Sequence, residues 1–290
     1  MRLPTLVHAR KFMWVPIILL IICLIFFGVS KIVTGEFVHK GISLKGGTTI
    51  TAQYVSDMTA SDVTQKLQGA SQVKVRSLND LNTHIGYIIE TNIVDTDEKD
   101  LFVTQVRSIF PGIIDDHITV EVTGSSLGSQ FFKQTLTALI TALIFMGIVV
   151  FVVFRTIVPS AAIMAAVVLD LIITLGIYGM LGQELSSAAI AALLMIVGYA
   201  VDTNILLSST MLKRGDIAVS ERYSSALKTG LMMTATTLVA ICVGLMITNS
   251  DIIRQIMIIL VIGLLVDAMN TWILNASILK RYLQKRGDHA

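Results

Sequence analysis

The sequence predicts a polytopic α-helical membrane protein: six transmembrane helices, with an extracytoplasmic α+β domain inserted between the first and the second. Three observations carry this expectation. The 290 residues are 54% hydrophobic and only 14% charged, with a mean hydropathy of +0.77, whereas a soluble domain carries about 25% charged residues. Six charge-poor runs each approach or exceed the roughly 20 residues that cross a bilayer core. The one long polar stretch, residues 31–133, alternates strand and helix patterns. These numbers exclude a water-soluble globule and a disordered chain. Four prolines and two cysteines exclude collagen-like and disulfide-stapled classes.

The first run, residues 12–30, lies between Lys11 and Lys31. No small-x-small cleavage pattern follows it, so it reads as an uncleaved anchor rather than a signal peptide. The second run, 134–154, lies between Lys133 and Arg155. The third, 156–183, is interrupted only by Asp170, and the fourth, 185–212, only by Asp202. The fifth, 229–250, is free of charge. The sixth, 255–279, is interrupted only by Asp267. The expected organisation is a cytoplasmic N-terminus and first span over 1–30, an extracytoplasmic domain over 31–133, a five-helix bundle over 134–280 and a cytoplasmic tail over 281–290.

Orientation follows from the basic residues flanking the spans. With the N-terminus inside, the inner segments carry Arg2, Arg10, Lys11, Arg155, Lys213, Arg214, Arg222, Lys228, Lys280, Arg281, Lys285 and Arg286, while the short outer loops carry only Arg254. Both termini are therefore expected in the cytoplasm of a multi-pass cell-membrane protein. Residues 31–133 hold nine Lys/Arg against twelve Asp/Glu, a net of −3. The basic excess thus belongs to the membrane part and reads as topology, not as a nucleic-acid footprint.

Within the outer domain, 42–55 reads as a strand after a Lys45-Gly46-Gly47 break. Residues 59–69 read as a helix, capped by Thr59 with Asp62 three residues on. Residues 73–78 and 84–91 read as two strands joined by a turn. Residues 97–110 read as a second helix, stopped by Pro111-Gly112, and 117–123 as a closing strand. The order β-α-β-β-α-β is that of a ferredoxin-like split βαβ sandwich. A Gly/Ser-rich link is expected over 124–129, and a short amphipathic helix on the inner membrane surface over 213–228.

The residues able to carry chemistry are few. An ionised Asp at the bilayer centre costs about 2.5–3.5 kcal/mol, and such residues mark ion or proton routes when they face a bundle interior. Asp202, Asp267 and Asp170 are therefore the candidates, with hydration near a span end as the structural alternative. Asp202 sits in Val197-Gly198-Tyr199-Ala200-Val201-Asp202-Thr203-Asn204. Gly198, one turn before it, leaves room for a second helix, and Ser209 follows two turns on. Asn270, Thr271 and Asn275 share a face with Asp267, and Thr234, Thr236 and Thr237 stud the fifth span. These polar groups serve either as helix–helix glue or as the lining of a hydrated interior. No basic residue lies deep in a span; Lys228, at the inner edge of the fifth, either pairs with a carboxylate or anchors the helix at the headgroups. All five histidines (8, 39, 84, 117 and 289) lie in polar segments. Neither a metal site nor a Ser-His-Asp set is supported, no cofactor is implied, and an enzyme is not expected. There is no Gly-x-x-x-x-Gly-Lys-Ser/Thr phosphate loop either.

Several of these residues resemble a known family. Lys45, Gly46, Gly47 and Thr48, shortly after a first span, resemble the Gly-Gly-Thr signature of the SecD/SecF protein-export components. The run from Val197 to Asn204, including Gly198 and Tyr199, resembles their fourth-span motif. Ala226-Leu227-Lys228-Thr229 with Thr234-Ala235-Thr236-Thr237-Leu238 resembles the start of their fifth. The outer domain of about 100 residues fits the SecF branch better than SecD. Three details fit its archaeal form: the acid at Asp202 lies one position earlier than in the bacterial pattern, Lys228 stands in place of an arginine, and Asp267 has no bacterial counterpart. The resemblance implies a membrane subunit paired with SecD in a pseudo-symmetric twelve-span assembly, like the resistance-nodulation-division transporters. It implies work beside a SecYE-type channel on unfolded preprotein clients, driven by the transmembrane ion gradient. Ion-coupling candidates are then Asp202, Asp267, Asp170, Asn204, Asn270, Thr236 and Lys228. The competing reading is half of a small-molecule or ion transporter of the same superfamily.

Overall fold

The computed structural model describes residues 13–56, 58–67, 73–80, 83–114, 117–213, 218–248 and 250–285. The chain divides into two compact units, one formed by residues 40–136 with 184–187 and the other by residues up to 39, 137–183 and 188 onward.

The smaller unit is the α+β domain. A helical turn α2 (Ile42–Lys45) precedes strand β1 (Gly47–Ala52); α2 follows the first membrane helix α1 (Trp14–Thr34). Then come α3 (Ala60–Lys66), β2 (Lys74–Asp80), β3 (Thr83–Thr91), α4 (Thr96–Ile109) and β4 (Ile118–Thr123). The sheet order is β2-β3-β1-β4, antiparallel throughout, with Ile50 opposite Ile89 on one side and Val120 on the other. That order is the ferredoxin-like one expected from the sequence. The start of α3 has the expected capping box: Asp62 N–H donates to Thr59 Oγ1, and Thr59 N–H donates to Asp62 Oδ2. The backbone and hydroxyl donations from Thr59 hold the Asp62 carboxyl below its ordinary range. The core packs Ile50, Ala52, Tyr87 and Ile89 of the sheet against Val63 and Leu67 beside α3 and Phe102, Val106 and Phe110 at α4. Tyr87 stacks on Phe110 and donates its hydroxyl to Met58 O at 2.6 Å.

Two expectations for this unit need correction. Residues 42–45 are not strand: Lys45 N–H donates to Gly41 O and Gly46 N–H to Ile42 O, closing a helical turn. Residues 124–129 are not a free linker: helix α5 (Ser125–Phe154) begins directly after Gly124. Both differences have one cause: the start of α5 lies against the backbone of Gly46.

The other unit is the helical bundle. Among the described residues, six helices are long and apolar enough to cross a membrane: α1, α5, α6 (Ile157–Met180), α7 (Ser187–Leu212), α8 (Val219–Ile247) and a broken sixth over Ile252–Lys285. Arg155, with φ of 50°, closes α5 in the left-handed region. α6 and α7 are about half buried within the bundle, whereas α1, α5 and α8 are largely exposed. The expected surface helix over 213–228 is instead, from Val219, the first turns of α8. Tyr223, Ala226 and Leu227 are buried against Leu207, Met211, Trp272 and Ala276, so its apolar stripe finds protein rather than a headgroup layer. Residues 214–217 lie outside the described residues. The sixth span runs as α9 (Asp251–Met269), a π-helical segment (Asn270–Asn275) and α10 (Ala276–Lys285).

Candidate functional site

The middle of the bundle is polar. Asp170 on α6, Asp267 on α9 and Asn204 on α7 are all fully buried, as are Asn270, Thr271 and Asn275 of the π-helical segment. The segment matters for this. Its i→i+5 pitch keeps Asn270 and Asn275, five residues apart, both inside the bundle.

These side chains meet in three tiers. In the first, Asn270 Nδ2 donates to Asp170 Oδ1 at 2.6 Å. In the second, the Asp267 carboxylate accepts from the Thr203 hydroxyl at 2.9 Å and from the Thr271 hydroxyl at 2.9 Å. In the third, Asn275 Nδ2 donates to Asn204 Oδ1 at 2.5 Å, while Asn204 Nδ2 donates to Ala200 O at 2.7 Å. No ion pair reaches either carboxylate among the described residues. A buried carboxylate is tolerated only with compensating donors or a proton. Asp267 has two hydroxyl donors, whereas Asp170 has a single amide. Several oxygens of the cluster have no partner: Asp170 Oδ2, Asn270 Oδ1, Asn275 Oδ1, Thr174 Oγ1 and Ser208 Oγ. Thr174 and Ser208 went unnoticed in the sequence. Their only signal there is position, four residues after Asp170 and after Asn204 respectively.

Asp202 stands apart from this cluster. It is exposed, although its neighbours Thr203 and Asn204 are buried. The fourth-span motif therefore straddles two faces of α7, one feeding the cluster and one presenting Asp202. Ala191, Met195, Gly198, Asp202 and Ser209 form an exposed stripe at helical spacing. A Cβ built on Gly198 meets no atom within 4 Å, so no helix among the described residues uses the room it leaves. Tyr199 is half-buried and its carbonyl lies 3.3 Å from the Thr203 hydroxyl. Lys228 is exposed, and neither it nor Asp202 has an ion-pair partner among the described residues. Thr236 is also exposed and donates back to the carbonyl of Met233 at 2.9 Å.

The Lys45-Gly46-Gly47-Thr48 run lies in the α+β unit and serves its architecture. Gly46 and Gly47 have φ of +89° and +147°. A Cβ on Gly46 would fall 2.5 Å from Ser125 Cα, and one on Gly47 would fall 2.4 Å from Thr91 O. The start of α5 thus lies directly on the Gly-Gly backbone, which explains both the helical turn before the pair and the absence of a free linker. Thr48 is buried and donates to Ile93 O at 2.6 Å, and Lys45 is exposed.

Comparison with known proteins agrees with this architecture. The family described as "Protein export membrane protein SecD/SecF, C-terminal" matches residues 104–285. "Protein-export membrane protein SecF" of Methanocaldococcus jannaschii is 38% identical over 276 residues, which cover 93% of this chain and 94% of the relative. The protein of the same description from Pyrococcus furiosus is 34% identical over 277 residues, 96% of this chain and 92% of the relative. Among solved structures, the crystal structure of SecDF, a translocon-associated membrane protein from Thermus, superposes with a TM-score of 0.75 at 20% identity. That match covers 99% of this chain but only 40% of the SecDF chain, so the likeness is one of fold. From the six apolar helices, the sheet topology and relatives matched along nearly their whole length, this multi-pass membrane protein belongs to the SecD/SecF family of protein-export membrane proteins, on its SecF side.

Proposed function

We propose that this chain is one half of a two-part assembly with a SecD subunit. The assembly promotes preprotein export beside a SecYE-type channel and draws on the transmembrane ion gradient. The observation that carries the reading is the exposed stripe on α7. A carboxylate, a glycine and small side chains at helical spacing form a close-packing surface, and a charge on it is costly against lipid. The largely exposed α5 and α8 support the same view, since a complete transporter buries more of its helices in itself. Coupling through Asp202 is energetically sufficient: one charge crossing 100 mV yields about 2.3 kcal/mol. Rocking of one half against the other would expose the carboxylate alternately to the two sides. The α+β unit is then the part that handles emerging polypeptide.

The test has two arms. The tagged full chain, co-expressed with a SecD protein of the same source, should copurify with it in mild detergent. In vesicles containing the channel, Asp202→Asn should leave that association intact and abolish the stimulation of precursor export by an imposed ion gradient. Equal stimulation in wild type and variant would remove Asp202 from coupling. A solitary, monodisperse chain in the presence of SecD would sink the two-part assembly.

A further inference from the structure

The mechanism proposed above uses Asp202 and leaves the buried pair Asp170–Asn270 without a task. We propose that Asp170 is a proton-binding site, a neutral carboxylic acid held face to face with the Asn270 amide, its Oδ2–H donating to Asn270 Oδ1. The site lies inside this chain and is distinct from the exposed Asp202.

Asn270 Nδ2 donates to Asp170 Oδ1 at 2.6 Å. The second oxygen of each group, Asp170 Oδ2 and Asn270 Oδ1, is buried and has no partner. Both residues are fully inaccessible. As a carboxylate and an amide, these two oxygens are acceptors only, and leaving either unpaired in a buried site is unfavourable. One proton on Oδ2 pairs both at once and closes a cyclic acid–amide dimer. Exchanging the amide nitrogen and oxygen does not remove the need. It would set two acceptors 2.6 Å apart, a separation that itself requires a hydrogen between them.

The surroundings decide which acid holds the proton. Asp267 precedes Asn270 by three residues, less than a full turn, and accepts two hydroxyl hydrogens, a set that suits the ionised form. Two ionised carboxylates buried in one bundle interior without a cation are unfavourable, and unequal environments separate their roles. The elements packed against α6 bring few other charges. α1 carries Cys23 and Lys31; α9 carries Asp251 and Arg254 as well as Asp267; α10 carries Lys280, Arg281, Tyr282 and Lys285. Arg254 precedes Asp267 by thirteen residues and Lys280 follows Asn270 by ten, about 20 and 15 Å of helix rise. Cys23 is occupied with Ile173 O. Among the described residues, no ion pair puts a cation in competition with the proton for Asp170. With Asp170 neutral and Asp267 ionised, the pair holds one proton and one negative charge.

The protonation stands on this geometry alone; its use in coupling rests on the functional reading above. Infrared spectroscopy of the full chain in lipid at neutral pH separates the two. The expected result is a carbonyl band of a protonated carboxylic acid that shifts in D₂O. Asp170→Asn should lose it, whereas Asp267→Asn and Asp202→Asn should keep it. Absence of the band, its survival in Asp170→Asn, or its loss in Asp267→Asn would each overturn the assignment. Should Asp170→Asn fail to accumulate, Asn270→Leu decides: the acid remains but its partner is gone, so the band should move in frequency, and an unmoved band would overturn the pairing. If the band behaves as expected while Asp170→Asn retains full gradient stimulation of export, the site stands and its share in coupling falls.

Discussion

Gly46 shows how much a single residue decides. Its φ of +89° belongs to the region that side chains avoid, and a Cβ there would strike the backbone of Ser125 at 2.5 Å. The obstacle is main chain, so no rotamer change relieves it. Gly46→Ala should therefore destabilise the protein by at least about 2 kcal/mol, the scale of a backbone held in a strained region. The expected measurement is a lowered thermal transition of the full chain in detergent, together with increased proteolysis near residues 40–50. An unchanged transition would mean that α5 does not seat on this turn. The sequence announced two adjacent glycines but not their purpose, because the partner, Ser125, lies 79 residues away. The aspartates were legible for the opposite reason. A carboxylate in an apolar run is conspicuous at any position, yet which of three consecutive residues, Asp202, Thr203 or Asn204, turns inward depends on helix phase, and a period cannot fix phase without neighbours.

At the scale of elements, the π-helical segment is what the sequence concealed. Counted from Asp267, Asn270, Thr271 and Asn275 fall at i+3, i+4 and i+8, the ordinary spacing of an α-helical face, so nothing there marks an extra residue in the turn. The segment brings Trp272 against α8, where Tyr223 donates its hydroxyl to Trp272 O at 2.9 Å. Gly230 makes room for the indole: a Cβ there would lie 2.0 Å from Trp272 Cζ2. Gly230→Val should push Trp272 aside and with it the turn that carries Asn270 and Asn275. We expect a marked change in tryptophan emission, with Trp14, exposed at 64%, replaced by Phe as background. The Asp170 acid band should shift in the same variant. A moved emission with an unmoved band would show that Trp272 and Asn270 respond independently. Apart from the turn α2, the strands and helices of the α+β unit are legible because each begins or ends on local chemistry: the Thr59–Asp62 capping box, the Pro111-Gly112 stop, the alternation of Thr48, Ile50 and Ala52. The start of α8 is not, because a stripe of Tyr223, Ala226 and Leu227 faces protein or headgroups with equal ease until its neighbours are placed.

For the whole molecule, the separation of charge fixes the expected orientation. Twelve basic residues flank the spans on the side of the N-terminus and one flanks them on the other, a bias that retains the basic side in the cytoplasm. The α+β unit then faces outward, where its net of −3 over residues 31–133 carries no weight in the rule, since long domains translocate whatever their charge. Single cysteines test this at two exposed positions, Glu98 in α4 and Lys285 at the end of α10. The native thiols do not interfere with a membrane-impermeant reagent: Cys23 is buried, and Cys242, though exposed in this chain, lies within the span of α8. Glu98→Cys should label in intact cells, and Lys285→Cys only after the membrane is opened. The reverse pattern would invert the protein. It would also place the α+β unit in the cytoplasm, where it could not receive a polypeptide leaving the channel, so the export reading and the topology stand or fall on the same pair of labels.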